Sequence, residues 1–330
     1  GIRDVERSRG LGDVYKRQAL GLEADRCQVY FQSRRRAVKD IPYILGKYTN
    51  LSTMRAIYDY TDSINMSHAL APLVQVGDIL HVQIERYGGP RPTIVPVGLD
   101  QDPHIRFTLD LASASRLFSV QDTDEGTGIF LKGTWEDPAA EEALRRLHAR
   151  LTDAGYSDIK INLPYRALYV GGWEDTYSLL RHLSPLEREM GGYGFLPPSA
   201  TYHRFMHGLM GGKMSSSRPE SAIFLSDTVE EAEKKLMRAL TGGRTTAEEQ
   251  RRMGGEPESC TVFEMLLLHL VLNDSELDNI YQRCRSGEML CGECKKDACE
   301  RLRAFLTDFQ ERKNAVENDA MREYLVEEGE

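Results

Sequence analysis

The chain has 330 residues, enough for two domains and a sizeable core. Hydrophobic residues make up 41% and charged residues 28%, with a mean hydropathy of −0.46, which excludes a disordered or fibrous chain. Lys and Arg number 42 against 51 Asp and Glu, and a formal charge of −9 excludes a generally basic nucleic-acid binder while leaving room for a local basic face.

Residues 8–18 read SRGLGDVYKRQ, which back-translates in frame to the transposon-end adapter of a common sequencing library. Residues 1–4, GIRD, match the flow-cell end of the same adapter. Residues 1–18 are therefore expected to be translated adapter, with the biological chain beginning near Ala19 inside a gene whose start was lost.

From residue 19 to about 80 the pattern is mostly helical, with amphipathic stretches over 34–47 and 51–60. Pro92 to Val97 predicts a short, β-branched strand buried on both faces. It runs into Asp100-Gln101-Asp102-Pro103, and a helical pattern resumes over 105–111 with Pro103 near its start. Strand, polar turn, helix is the unit of an α/β sheet, whose ligands sit at the carboxyl ends of the strands. Residues 115–195 are rich in charge, Gly and Pro and hold both tryptophans, Trp135 and Trp173; they read as an insertion or peripheral subdomain with a helix over 141–154.

From Asp227 onward the pattern is all-helical. Asp227 or Thr228 with Glu230 or Glu231 predicts a capping box, and Thr245 with Glu248 a second. Gly242-Gly243 and Gly254-Gly255 are expected to stop helices. Residues 261–272 predict a buried apolar helix; its run MLLLHLVL, the longest in the chain, is too short for a membrane span. Ser275 with Glu276 starts another helix, and a long amphipathic helix follows from Cys294 to about Glu327, with Ala298, Leu302, Phe305, Phe309 and Val316 near one face.

Gly211-Gly212-Lys213-Met214-Ser215-Ser216-Ser217 carries the strongest chemical signal. A Gly-led loop with one ammonium and three hydroxyls suits a polyphosphate, although a polar surface loop has the same composition. The glycine spacing of a P-loop is absent. Four cysteines, Cys260, Cys284, Cys291 and Cys294, are spaced C-x23-C-x6-C-x2-C. A close pair plus two distant thiols can build a tetrahedral four-thiolate site for zinc or an iron–sulfur cluster; the alternative is that they are small buried hydrophobes. Cys27 and Cys299 fall outside this spacing.

Lys213-Met214-Ser215-Ser216-Ser217 resembles the KMSKS signature of class I aminoacyl-tRNA synthetases, with Ser216 where the fuller motif has a second Lys. Val97 to Arg106 (VGLDQDPHIR) resembles the amino-acid-binding strand end of the tryptophanyl-tRNA synthetase family, and Ser221 to Asp227 (SAIFLSD) the segment after its signature loop. Thr241 to Gly255, and Cys284 to Cys294 (CRSGEMLCGEC), resemble the C-terminal domain of that family's archaeal–eukaryotic branch. The resemblance covers about 19–111 and 196–330.

It implies an α/β fold: a partial Rossmann-like catalytic domain over 19–226, with the insertion at about 115–195 and the signature loop at 211–217, then an all-helical anticodon-binding domain over 227–330. It implies activation of L-tryptophan by ATP with Mg2+ to the adenylate, and transfer to tryptophan tRNA. Lys213, Ser215 and Ser216 take catalytic roles, and Gly212, Lys213, Met214, Ser215, Ser216 and Ser217 bind ATP. Gln101 and Asp100 bind substrate, with Asp100 as a helix cap the alternative. Tyr58, Tyr60 and Asp62 shape the pocket or lie on a helix surface; His104 and Arg106 orient ligand or face solvent. Arg34-Arg35-Arg36, Arg251-Arg252 and Lys295-Lys296 are candidate contacts to tRNA phosphates. The cysteine spacing resembles that of family members with a [4Fe–4S] cluster near the anticodon-binding region, which favours iron–sulfur over zinc.

The full-length protein is expected to be a cytoplasmic homodimer. The family's ATP-holding His-x-Gly-His motif is absent from this sequence, so the chain is expected to be inactive alone. A tyrosine-specific synthetase and a non-catalytic tRNA-binding relative are the alternatives.

Overall fold

The computed structural model describes residues 16–17, 19–22, 26–203, 206–212, 214 and 218–315. The chain divides into two compact units: residues 32–204, and residues 1–31 with 205–330. The boundary falls at 204/205, so the described residues of the signature loop, 211, 212 and 214, belong with the helical unit.

The first unit has two cores. In one, α1 (Arg36–Leu45), α2 (Leu51–Tyr58), α3 (Met66–Leu80) and α4 (Asp102–Ala114) bury Ile41, Leu45, Leu73, Val76, Phe107 and Leu111. Asn50 and Asn65 cap α2 and α3 through their side chains. Gly77 lets α1 and α3 approach, since a β-carbon there would lie 2.5 Å from the Val38 carbonyl oxygen and 2.6 Å from Pro42. Before α4 runs β1 (Ile94–Gly98), paired in parallel with β6 (Ser199–His203), Ile94 opposite Ser199.

The expected strand–turn–helix unit is present, but β1 is not buried on both faces: Ile94 is 65% exposed. Among the described residues β1 has one neighbouring strand, so nothing covers its outer positions.

The other core is an antiparallel sheet in the order β2 (Phe118–Thr123), β3 (Gly126–Leu131), β5 (Ala167–Val170), β4 (Ile159–Asn162). It packs with α5 (Asp137–Asp153) and α6 (Thr176–Glu189) around Ile129, Leu144, Leu147, Leu168 and Leu183. The charged stretch read as an insertion therefore has its own hydrophobic centre.

The second unit holds α7 (Val229–Arg238), α8 (Ala247–Met253), α9 (Thr261–Met265), α10 (Asp274–Ser286) and α11 (Cys291–Ala315). Thr228 and Glu231 form the expected capping box. The second box is one residue later than expected, at Thr246 and Glu249, and Asn273 rather than Ser275 caps α10. The apolar helix over 261–272 is also revised: α9 passes into a π-turn at Leu266–Leu270, and Leu272 is 98% exposed. Val316 lies outside the described residues.

Candidate functional site

At the carboxyl end of β1, Gly98 leads into a single 3-10 turn, Leu99–Gln101, and then α4. The Gln75 amide Nε2 donates to Gln101 Oε1 at 3.1 Å, and Gln101 Nε2 donates to Asp100 Oδ2 at 3.0 Å. Gln101 is thus held at both ends of its amide. Asp100 has no side-chain capping bond; its carboxylate orients Gln101. A β-carbon on Gly98 would sit 2.7 Å from Asp100 Oδ1, so a larger residue there would have to displace that carboxylate.

One turn along α4, His104 Nδ1 is 3.0 Å from the Tyr58 hydroxyl, with the two rings 5.0 Å apart. Tyr58 also stacks on Tyr60 at 5.4 Å. Burial raises the Tyr58 pKa and lowers that of His104, keeping both neutral. His104, Tyr60, Gln75, His68 and Pro72 line an open cleft of about 640 Å3.

His104 therefore faces this cleft, whereas Arg106 is exposed and paired with Asp102 at 2.6 Å. Tyr202 of β6 donates to the other oxygen of Asp102 at 2.7 Å. Asp62 is exposed and pairs with Arg55. Gln75 escaped the sequence reading; its signal is a lone amide in an otherwise apolar stretch of α3.

In the second unit, the stem of the signature loop is clamped to helices. Leu240 N donates to Leu209 O at 2.7 Å, Leu209 N to Ser221 O at 2.9 Å, and His207 N to Glu264 at 3.0 Å. Gly211 and Gly212 have φ of 79° and 70°, a left-handed turn that glycine adopts without strain. Met214 lines an apolar cavity with Met206, Leu225, Met265 and Phe305. Lys213, Ser215, Ser216 and Ser217 lie outside the described residues.

Cys260, Cys284, Cys291 and Cys294 line one small cavity with Val262, Phe263 and Met289. Burial and the neighbouring thiols push the Cys284 thiol up to about 11 and that of Cys294 up to about 12. Cys299 is buried elsewhere on α11. Among the described residues, no three His, Cys, Asp or Glu side chains are placed to hold a metal ion.

Two observations bear on a larger group. A β-carbon on Gly243 would strike Cys291 Sγ, and one on Gly255 would lie 2.8 Å from Cys284 Sγ. The buried Gln250 Nε2, 2.6 Å from that same Gly255 position, has no hydrogen-bond partner. Gly254 caps α8 as expected, whereas the helix before Gly242-Gly243 already ends at Arg238; Gly243 and Gly255 are the two glycines that leave room for sulfur. Four thiols on one cavity are the donor set that either a zinc ion or an iron–sulfur cluster takes.

Two of the candidate tRNA contacts are engaged inside the fold. Arg35 is buried against His81, and the Lys295 ammonium donates to the Met237 and Ala239 carbonyls, each at 2.8 Å, closing the end of α7. Arg34, Arg36, Arg251, Arg252 and Lys296 are exposed.

A strand–turn–helix unit with a polar strand end, together with a glycine-led signature loop on a helical unit, is the arrangement of a class I aminoacyl-tRNA synthetase. The crystal structure of tryptophanyl-tRNA synthetase from the archaeon Aeropyrum pernix matches with a TM-score of 0.65 at 35% identity, over 95% of this chain and 65% of that one. The chain belongs to the family described as tRNA synthetases class I (W and Y), which matches residues 7–124 and 170–307. Curated tryptophan–tRNA ligases of Thermoplasma volcanium and Archaeoglobus fulgidus are 43% and 42% identical over 94% of this chain, which spans 71% of each. No described helix is long and apolar enough to cross a membrane.

Proposed function

We propose that the chain serves tryptophan–tRNA ligation: ATP-dependent formation of tryptophanyl-adenylate, then transfer of the tryptophanyl group to its tRNA. The observation that carries this reading is the 43% identity to the Thermoplasma enzyme across 94% of the chain. The tryptophan carboxylate attacks the α-phosphorus of ATP, and the bond to the β,γ-pyrophosphate breaks. The leaving group gathers negative charge, which Mg2+ and the Lys213 ammonium offset, with Ser215, Ser216 and Ser217 as donors to phosphate oxygens. Gly212 and Met214 carry the loop that presents them.

Gln101 takes the substrate ammonium on its amide oxygen. That oxygen has a second lone pair beyond the one Gln75 occupies. Asp100 holds the amide in position and adds negative charge. The four thiolates of Cys260, Cys284, Cys291 and Cys294 hold a [4Fe–4S] cluster, supported by their shared cavity and the glycine-made space around them. When bound, the cluster supplies a covalent cross-link among α9, α10 and α11, remote in role from the adenylate chemistry. The working form is a cytoplasmic homodimer, on the strength of the family resemblance alone.

The test is ATP–pyrophosphate exchange, with tryptophan and tyrosine in parallel. It uses a chimera joining this chain to the part of the Thermoplasma relative that it does not span. Exchange with tryptophan alone is expected. Exchange with tyrosine would make the chain tyrosine-specific, and folded chimera inert with both would favour a non-catalytic tRNA-binding protein.

A further inference from the structure

We propose that Gln250 donates a side-chain N–H hydrogen bond to a cluster sulfur beside Cys284, and so raises the cluster's reduction potential. The inference deepens the iron–sulfur reading and rests on it.

Gln250 sits inside α8 and is 3% exposed. Its backbone is fixed on both sides: its N–H donates to Thr246 O at 3.0 Å, and its carbonyl accepts from Gly254 N at 2.9 Å. The orientation of the side-chain amide is also decided. Arg244 N donates to Gln250 Oε1 at 2.8 Å, and a backbone N–H can face only the oxygen end of an amide. Nε2 therefore points away from Arg244.

There Nε2 finds no partner among the described residues. A buried primary amide with an unused donor is unfavourable, and native folds rarely leave one so. The gap it faces is bounded by sulfur. The β-carbon position on Gly255 lies 2.6 Å from Gln250 Nε2 and 2.8 Å from Cys284 Sγ, so amide and thiol flank the same carbon-sized space. Gly243 stands likewise between Cys291 Sγ and Gln250 Oε1, the latter at 3.4 Å. The amide and two of the thiols thus meet across the two glycine positions, and the donor end of the amide is unpartnered among the described residues.

Electron-rich thiolate and sulfide sulfurs are the acceptors such a donor lacks. N–H donors to cluster sulfur disperse the negative charge added when [4Fe–4S]2+ takes up one electron to become [4Fe–4S]+, which favours the reduced form.

The experiment reconstitutes wild type, Gln250→Leu and Gln250→Glu anaerobically with ferrous iron and sulfide. Iron and sulfide per chain are measured first. The midpoint potential is then found by mediated titration with dithionite, followed by electron paramagnetic resonance. The Glu variant keeps an oxygen for Arg244 N and removes the donor; the Leu variant removes the donor without adding charge. The expected result is a lower midpoint in both. Loss of iron from both variants, while their metal-free forms melt like wild type, supports the contact as well. If the Leu variant fails to fold, the Glu variant decides. An unchanged midpoint in an iron-replete variant overturns the inference and leaves the cluster standing. A wild-type chain that takes up no iron, or only zinc, overturns the cluster reading itself.

Discussion

Arg35 donates to Nε2 of His81 across 2.9 Å, with the two residues 2% and 0% exposed. Arginine has only donors, so Nε2 must accept, and the imidazole proton sits on Nδ1, where it is given to the Asp78 carbonyl at 2.7 Å. The Tyr87 ring lies against both partners, 4.7 Å from the guanidinium and 5.1 Å from the imidazole. The neutral imidazole is the form this arrangement holds. Burial, and then the Arg35 charge, lower the His81 pKa.

A histidine whose folded pKa is lowered stabilises the fold above its unfolded value of about 6.5, and that contribution fades as pH falls through the folded value. Melting temperature should therefore decline as pH drops below about 6.5. The decline should be shallower in His81→Gln, which cannot take up a proton. Equal slopes for the two proteins would remove His81 as a source of the acid sensitivity.

The Arg116–Glu187 pair is a second sealed contact, at 3.3 Å with side chains 2% and 0% exposed. Arg116 also donates to Phe195 O at 2.8 Å and to Leu180 O at 3.2 Å, while Glu187 accepts from Phe118 N at 2.9 Å. Glu187→Ala strands a buried guanidinium and should destabilise by about 3–5 kcal/mol. The double variant Arg116→Met/Glu187→Leu should lose much less, because no charge stays buried. Urea denaturation of the three proteins reads this directly.

Gly255→Ala places a methyl group between Gln250 Nε2 and Cys284 Sγ. Iron affinity, measured by competition with a chelator, should fall by roughly tenfold or more, the scale seen when groups around metal ligands are disturbed. Gly292→Ala is the control: no atom lies within 4 Å of its β-carbon position, and iron affinity should hold.

Lys213→Ala in the active chimera should lower kcat by about a hundredfold or more, as on losing a contact to transition-state charge, with a smaller change in tryptophan affinity. An unchanged kcat in the variant would take Lys213 out of the mechanism.

Local patterns are legible in the sequence wherever the physics is local. The Thr228–Glu231 capping box, the polar turn between β1 and α4, and the positive-φ glycines that open the signature loop each rest on residues within one turn of one another. Cysteine spacing is legible too, because thiol chemistry restricts what four such residues can do. Burial of β1 is not, for the opposite reason: a β-branched run records preference for a strand, while exposure depends on how many strands pair beside it. Arg34-Arg35-Arg36 reads as one basic run, yet packing separates its members, since only Arg35 meets an imidazole that lies 46 residues away.

By itself the sequence determined the α/β class, the helical second half, the signature loop and the four thiols, since composition, periodicity and motif chemistry act along the chain. Only the tertiary structure decided that Gln75 holds Gln101, that Gly243 and Gly255 make space for sulfur, and that Gly255 stands between the Gln250 amide and Cys284. Those relationships join residues whose contact is set by the packing of separate helices and turns. Hydrogen-bond direction and steric exclusion act over a few ångströms, and no linear pattern records which side chains will stand that close.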